Sequence, residues 1–268
     1  MILEKDIFLQ KDFFKKKPQV TIASAGPGDP ELITLKTFYR LKNSEIILTD
    51  RLVNYNIFKK YTNKFVKIIY VGKKGKDKKS TSQKKINKLM IYYAMSGKFV
   101  LRLKGGDVSI FSNILDELYF LTKYNISYEI IPGVTAALGA AAYSGIPLTA
   151  RKYSSSIRFI TCHNFIKINE LKWKELSKTE DTLVFYMTGK KINFIIKKFI
   201  FYKIAKEKLM AIIWQATTPM QKIKIFNIYK YKYKNIFFSP IIIIIGKVVS
   251  LHKKFKWFKE KKNKIPFF

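Results

Sequence analysis

The sequence predicts an α/β protein, and three observations carry that prediction. The first segment reads as a strand (20–25), a stretch with apolar residues at helical spacing, and a second strand (46–48). The stretch 99–107 runs from an apolar, β-prone strand directly into two glycines and an acid. After residue 133, strand-like runs continue to alternate with helical ones. The length of the chain favours two domains of ordinary size.

The first β-α-β unit contains a clear helix-start signal. Gly26-Pro27-Gly28-Asp29-Pro30 follows the first strand, and Asp29 is suited to cap a helix that has Pro30 in its first position. Apolar side chains then recur at helical spacing and predict one buried face, made of Leu32, Leu35, Phe38 and Tyr39.

Asp50 stands just past the second strand, about where a dinucleotide-binding fold places its ribose-binding acid. That fingerprint also needs a third glycine, and Glu31 occupies the position; the prolines at 27 and 30 fit it poorly as well. A nicotinamide cofactor is therefore disfavoured. An exposed Asp50-Arg51 turn pair is the plain alternative to a functional acid.

The turn Gly105-Gly106-Asp107 is the strongest candidate for a ligand site. Two glycines remove every Cβ at the end of the strand, so a ligand can lie directly on the backbone. Ligands of open α/β sheets collect at the carboxyl ends of strands, which places Asp107 at the mouth of a pocket. Lys73 follows another strand end and is expected to converge on the same rim. The alternative is a tight turn with a capping Asp before a helix from 113 to 122.

The remaining elements follow the same alternation. Pro132-Gly133 breaks the strand 128–131 and is the candidate domain junction. An alanine-rich helix from 134 to 143 follows, whose small residues permit close packing. Further elements are predicted as a helix over 82–96, strands over 158–161, 182–187, 211–214 and 240–249, and a helix that includes 192–200.

Composition limits the classes of function. A net charge of +34 invites nucleic acid, an anionic membrane or a polyanionic substrate. The lysines are nevertheless scattered through nearly every segment beside much Ile, Asn, Phe and Tyr, which favours genome-wide compositional drift.

A lone cysteine, Cys162, and two histidines predict no disulfide and no metal cluster, and they favour the cytoplasm. The N-terminal order does not match a signal peptide, and the apolar run 241–245 is too short to span a bilayer.

Seven motifs occur together in one order along the chain. They are Ala25 to Asp29, Asp50-Arg51-Leu52-Val53, Val71-Gly72-Lys73-Lys74, Leu101 to Asp107, Pro132 to Ala136, Tyr143 to Thr149, and Val184-Phe185-Tyr186-Met187. With these motifs the chain resembles the tetrapyrrole methylase family over about 19–258, and within it the group of uroporphyrinogen-III C-methyltransferases.

The resemblance implies a two-domain α/β fold with S-adenosylmethionine in the cleft between the domains, and a homodimer. It also implies a reaction, the methylation of uroporphyrinogen III at C2 and C7 to give precorrin-2 for siroheme or cobalamin. Asp50 matches the family's proton acceptor and Lys73 its proton donor. Family cofactor-binding positions map onto Pro27, Gly105, Gly106, Asp107, Ile110, Thr135, Ala136, Met187 and Ala216. Arg51, Arg102, Lys104 or Arg151 would supply countercharge for the carboxylates of the substrate.

The implied domains are an N-terminal extension (1–18), an N-terminal α/β domain (19–132), a C-terminal α/β domain (133–252) and a basic tail (253–268). With so few residues ahead of position 19, we expect no room for the dehydrogenase and ferrochelatase module that is fused to some siroheme synthases.

One departure from the family pattern concerns the segment after Asp107. Relatives have an arginine there, and Val108 to Ile114 contains none. Two alternatives remain open, another precorrin methylase and an rRNA ribose methyltransferase of the same superfamily. The second lacks support, because RNA-acting relatives carry an aspartate-alanine-glycine-threonine-proline stretch where this chain has Leu103 to Asp107. We expect no specific nucleic acid and no membrane as partner.

Overall fold

Two five-stranded sheets, one from each half of the chain, organise the fold. The computed structural model describes residues 18–72, 81–163, 168–231 and 239–259. The strands are β1 (Val20–Ser24), β2 (Ile46–Thr49), β3 (Lys67–Tyr70), β4 (Val100–Lys104), β5 (Tyr128–Ile131), β6 (Ile157–Thr161), β7 (Thr182–Tyr186), β8 (Leu209–Trp214), β9 (Lys222–Asn227) and β10 (Ile241–Gly246). The α-helices are α1 (Leu35–Asn43), α2 (Tyr55–Tyr61), α3 (Gln83–Met95), α4 (Ile114–Lys123), α5 (Ala136–Tyr143), α6 (Glu170–Lys178), α7 (Ile192–Phe201) and α8 (His252–Phe255).

The first sheet is parallel and has the order β3-β2-β4-β1-β5. Its central strand, β4, is buried on both faces. Leu101 and Leu103 pack with α1 and α2 on one face, while Val100 packs with α3 and α4 on the other. The carboxyl ends of β1, β2 and β4 therefore meet at one edge, where the loops that follow them lie side by side.

The second sheet has the order β6-β7-β10-β8-β9, with one parallel pair, β6 and β7, and antiparallel pairing elsewhere. The all-apolar run of β10 lies at its centre and is fully buried. Helices α6 and α7 cover one face, and α5 covers the other through small side chains such as Ala137 and Ala140. Small residues permit this close approach, as the alanine-rich sequence predicts.

The predicted α/β class is confirmed, and most predicted strands agree with the observed ones to within two residues. The prediction of a helix that begins after Asp29 is wrong. Asp29 caps only a short 3₁₀ turn, Pro30–Leu32, after which the chain is extended and α1 begins at Leu35 with Thr34 as its cap. The restart shifts the buried face, so that Leu41 is buried while Leu35 and Tyr39 are 64% and 44% exposed.

The described part of the predicted basic tail (253–268) makes specific contacts with the C-terminal half of the protein. Residues 252–258 lie against the end of α5. The indole Nε1 of Trp257 donates to the Ala142 carbonyl at 2.8 Å, and Nδ1 of His252 lies 2.6 Å from the Ser144 carbonyl. The ring of Trp257 packs on Tyr143, with 5.1 Å between ring centroids. These contacts follow from aromatic side chains that the basic composition of the segment conceals.

In the described part of the chain, we find no helix with the length and apolar character needed to cross a bilayer.

Candidate functional site

A cavity of about 440 Å³ lies between the two sheets, at the carboxyl edge of the first. The loops after β1, β2, β3 and β4 form one wall. The opposite wall comes from the end of β7, the end of β8 and the start of β10. This is the position where open α/β sheets bind their ligands.

The structure brings the predicted site residues together in this cavity. Its lining includes Asp50 together with every predicted cofactor-binding residue, namely Pro27, Gly105, Gly106, Asp107, Ile110, Thr135, Ala136, Met187 and Ala216. Lys73 lies outside the described residues; Gly72, just before it, lines the cavity. The chemical roles of these residues remain predictions, because position alone does not assign them.

Bare backbone forms the floor of the cavity. Gly106 has φ +69°, a conformation that side chains rarely adopt, and its amide donates to the Gly26 carbonyl at 2.7 Å. A Cβ at Gly105 would lie 3.2 Å from the Leu52 carbonyl oxygen. The turn after β4 is therefore held against the turn after β1, and a ligand can approach main-chain atoms directly.

Asp107 fixes this turn in place. Its carboxylate accepts hydrogen bonds from the backbone amides of Ser109 at 2.8 Å and Gly133 at 2.7 Å, and the residue is buried. The side chain thus ties the loop after β4 to the end of β5. Asp107 lines the cavity, as the sequence predicts for an acid at the mouth of the pocket, and two backbone amides engage its carboxylate there.

Tyr186 joins β7 to the start of α5 on the opposite wall. Its hydroxyl lies 2.8 Å from Oγ1 of Thr135 and accepts from the Ala137 amide at 3.2 Å. Burial raises the pKa of Tyr186, so that the phenol remains protonated at neutral pH. The ring of Phe111 packs edge-on against it, with centroids 5.1 Å apart. The sequence places Tyr186 within a family motif, but no sequence pattern predicted a role for its hydroxyl.

A buried charged cluster lies beneath Asp50. The Asp50 Oδ1 atom accepts from Arg102 at 2.6 Å, Arg102 Nε donates to Glu117 at 2.9 Å, and Lys104 Nζ donates to Glu117 at 3.0 Å. Arg102 is only 2% exposed. Burial opposes its charge, but the two carboxylates outweigh burial and raise the pKa of Arg102. Burial lowers the pKa of Lys104, and neighbouring Arg102 adds to that effect, although Glu117 opposes both.

This cluster changes the assignment of substrate countercharges. Glu117 occupies both Arg102 and Lys104, and Asp50 also binds Arg102, so these two cations are poor candidates for a carboxylate of the substrate. Arg151 does not line the cavity. Arg51 does line it, is exposed, and forms no ion pair within the described ranges. Arg51 is therefore the candidate that the structure leaves available.

The segment without the family arginine lies at the rim. Phe111 and Asn113 both have positive φ, 52° and 55°, and both line the cavity. Nδ2 of Asn113 donates to Asp116 at 2.7 Å. A neutral amide therefore occupies a rim position in the segment where the family resemblance leads us to expect a cation.

Among the residues that the structure describes, no group of three or more His, Cys, Asp or Glu side chains is arranged to hold a metal ion.

Fold and cavity together define an α/β protein with a ligand cleft between two sheets, one parallel and one mixed. The particular family is shown by comparison with known sequences. The chain belongs to the Tetrapyrrole (Corrin/Porphyrin) Methylases, whose pattern it matches over residues 19–231.

Relatives with known names agree with this family. A siroheme synthase of Saccharophagus degradans is 39% identical over 248 residues, which cover 91% of this chain and 54% of that protein. The chain spans about half the length of the curated relatives it matches. Uroporphyrin-III C-methyl transferase from Thermus thermophilus, complexed with S-adenyl homocysteine, has a TM-score of 0.73 at 29% identity, covering 87% of this chain and 99% of that one. A cobalt precorrin-4 methyltransferase has a TM-score of 0.74 at 21% identity, covering 86% and 96%, and shows the fold alone.

Proposed function

We propose that the protein is an S-adenosylmethionine-dependent C-methyltransferase that converts uroporphyrinogen III to precorrin-2 by methylation at C2 and C7, on the route to siroheme or cobalamin. One observation carries the proposal. Residues matched to the family's functional positions, from Pro27 to Ala216, line a single cavity between the sheets. The similarity to the Thermus thermophilus enzyme over 99% of its length supports the same reaction.

The cavity fits the methyl donor. S-adenosylmethionine supplies an activated methyl group, so the protein has mainly to align that group with an electron-rich pyrrole carbon. Gly105 and Gly106 present main-chain atoms to the cavity, and the positive φ of Gly106 disfavours any side chain there. Thr135 and Ala136 at the start of α5 face the same space, and Met187 and Ala216 line the opposite wall. We assign these residues to the donor.

Asp50 is suited to accept the proton that methylation releases. Attack by a ring carbon leaves a cationic ring system, and a nearby carboxylate both stabilises that charge and takes up the proton. The Asp50 side chain is 30% exposed in the cavity lining. Its Oδ1 is held by Arg102, while Oδ2 has no hydrogen-bond partner among the described residues. We assign the matching donor role to Lys73 on the family resemblance alone.

The exposed guanidinium of Arg51 adjoins Asp50 in the chain and lines the same cavity. We assign it to a carboxylate of the substrate, because a guanidinium fork matches carboxylate geometry. Such a contact would hold a ring of the tetrapyrrole near Asp50.

Location and assembly are further parts of the proposal. The lone, buried Cys162 is compatible with a reducing cytoplasm. The homodimer rests on the family resemblance, as does the domain junction at 132–133. No recognisable nucleic-acid-binding motif accompanies the positive charge, so we propose no specific nucleic-acid partner.

The direct test is incubation with uroporphyrinogen III and labelled S-adenosylmethionine, followed by mass analysis of the tetrapyrrole. We expect a product that carries two additional methyl groups from the labelled donor, each in place of a released proton. Asp50→Asn keeps the size of the side chain but removes its charge, and we expect turnover to fall by roughly 10²–10⁴-fold with near-normal donor affinity.

Asp181→Asn is the matched control, because Asp181 is also paired with an arginine, Arg158, but does not line the cavity. Its turnover should equal that of the wild type at neutral pH. Unchanged turnover in Asp50→Asn would remove Asp50 from the mechanism, and transfer of no methyl group to uroporphyrinogen III would refute the substrate assignment.

A further inference from the structure

We propose that Arg102 is a positioning residue for Asp50, and that the buried carboxylate of Glu117 holds Arg102 in the orientation this task needs. The inference rests on the proposed function, since it assigns Asp50 the role of proton acceptor. The family resemblance offers Arg102 only as one of several countercharges for the substrate, and it gives Glu117 no role.

The guanidinium of Arg102 has partners on every nitrogen. One terminal nitrogen donates to Asp50 Oδ1 at 2.6 Å, and Nε donates to Glu117 at 2.9 Å. The other terminal nitrogen donates to the carbonyls of Leu48 and Leu103, each at 3.3 Å. A planar fork with bonds from each of its three nitrogens cannot rotate without breaking them. Arg102 is therefore a fixed point from which Asp50 is held.

Glu117 supplies the second anchor, from α4. Its side chain is completely buried and accepts hydrogen bonds from Arg102, from Lys104 at 3.0 Å and from Gln83 at 3.3 Å. A carboxylate at this depth is tolerated only when it is paired and hydrogen-bonded, and these three donors meet that requirement. Glu117 thus joins two strand residues of β4 and one residue of α3 into a rigid base beneath the cavity.

The consequence for Asp50 is geometric. A partly exposed side chain at the end of a strand would ordinarily sample several rotamers. Here Arg102 binds one oxygen and leaves Oδ2 as the oxygen without a partner in the described part of the chain. Proton transfer requires the acceptor within hydrogen-bond reach of the reacting carbon's proton. Fixing one oxygen directs the other, which is the role we assign to Arg102.

The test compares Arg102→Lys and Glu117→Gln with the wild type. Lysine keeps the charge of Arg102 but is a single point donor, so it cannot bridge both carboxylates as a fork does. We expect kcat to fall by about 10²-fold, with the KM for S-adenosylmethionine changed less than about twofold, because the donor-binding wall is untouched. Glu117→Gln should also lower kcat and leave the KM for S-adenosylmethionine nearly unchanged.

Arg40→Lys is the matched control. Arg40 also bonds a partly buried glutamate, Glu129, but this pair joins α1 to β5 away from the cavity. We expect it to leave kcat and KM unchanged. Melting curves establish that each variant is folded, and kcat is referred to folded protein. If neither single variant folds, Arg102→Met removes the bond to Asp50 while Glu117 stays paired with Lys104, and it carries the same expectation for kcat.

Combination with Asp50→Asn separates the outcomes. If Arg102 acts only by positioning Asp50, the double variant Asp50→Asn with Arg102→Lys should have the same kcat as Asp50→Asn alone. A further loss in the double variant, or wild-type kcat in folded Arg102→Lys while Asp50→Asn is impaired, would overturn the positioning role and leave the proposed function standing. Wild-type kcat in Asp50→Asn would overturn the proton acceptor itself, and the positioning role with it.

Discussion

Arg102 and Lys104 occupy the interior of a parallel sheet, where charged residues are rare. Both project from β4 towards α4, where Glu117 meets them. The sequence indicates this arrangement, because Arg102 and Lys104 stand at alternate positions of an otherwise apolar strand. A central strand is buried on both faces, so charged residues within it require buried partners of opposite charge. Which partner it is depends on tertiary packing and cannot be read from β4 alone.

Other parts of the site were predictable because they depend on local chemistry. Gly105 and Gly106 predict a turn without side chains. Because a strand ends there, the turn lies at the carboxyl edge of the sheet, where ligands bind. The engagement of Asp107 with the Gly133 amide was not predictable, because it joins loops 26 residues apart in sequence. Lys73 stays a prediction, since it lies outside the described residues.

A pH-dependent prediction concerns Asp181. Hydrogen bonds from Ser156 and Thr179, together with the charge of Arg158, lower the pKa of Asp181 from 3.8 to about 2. The unfolded chain therefore binds this proton more readily than the folded protein does. The resulting stabilisation is complete above about pH 4 and is lost as the pH falls through about 2.

We expect Asp181→Asn to lower the free energy of unfolding by about 0.2–1 kcal/mol at pH 6, as is usual for solvent-screened pairs. The difference from the wild type should shrink below pH 4. Urea unfolding measures this difference in the free energy of unfolding. It is carried out at a series of pH values, down to the lowest at which both proteins fold. An equal difference at every pH would contradict the assigned pKa.

Among the elements, α1 shows why helical spacing did not predict the buried face. The spacing of Leu32, Leu35 and Tyr39 assumes one uninterrupted helix, but the extended residues Ile33 and Thr34 separate the 3₁₀ turn from α1. Strand β9, in contrast, was missed because its lysines dilute the apolar pattern of an edge strand that is stabilised by pairing with β8. Strand β5 was predicted with its observed ends, because Pro132-Gly133 terminates it clearly.

Helix α5 gives a prediction at this scale. A Cβ at Gly139 would lie 2.6 Å from Cγ of Pro27 and 2.9 Å from Cγ2 of Thr217. On helix propensity alone, Gly139→Ala would stabilise the protein by about 1 kcal/mol. Overpacking against the cavity loops typically costs about 1–3 kcal/mol and should dominate. We expect a lower melting temperature and weaker binding of S-adenosylmethionine, measured by calorimetry.

Leu138→Ala provides the control, since Leu138 is an exposed neighbour on the same helix. It should leave binding unchanged. A Gly139→Ala protein that is more stable than the wild type and binds the donor normally would show that α5 and the Pro27 loop do not constrain each other.

For the whole molecule, the dominant property is the net charge of +34. We interpret it as compositional drift, which predicts association with nucleic acid that is weak, sequence-independent and steeply dependent on salt. Dissociation constants should lie at roughly 10⁻⁴–10⁻⁶ M at physiological salt. Fluorescence anisotropy with RNA and DNA oligonucleotides of scrambled and natural sequence would measure this. Tight binding to one sequence at physiological salt would contradict the interpretation.

The place of β10 in the second sheet has a consequence for biosynthesis. Strands β1 to β5 complete the first sheet once residue 131 has been made, so that half can pack while translation continues. The second sheet cannot close in the same way. Its central strand, Ile241–Gly246, is the last of the ten to leave the ribosome, and until then β7 and β8 have no partner between them. The edges of β7 and β8 that will pair with β10 are apolar and stay unpaired while the residues between 214 and 246 are synthesised. During that time the nascent chain must keep both edges away from other chains.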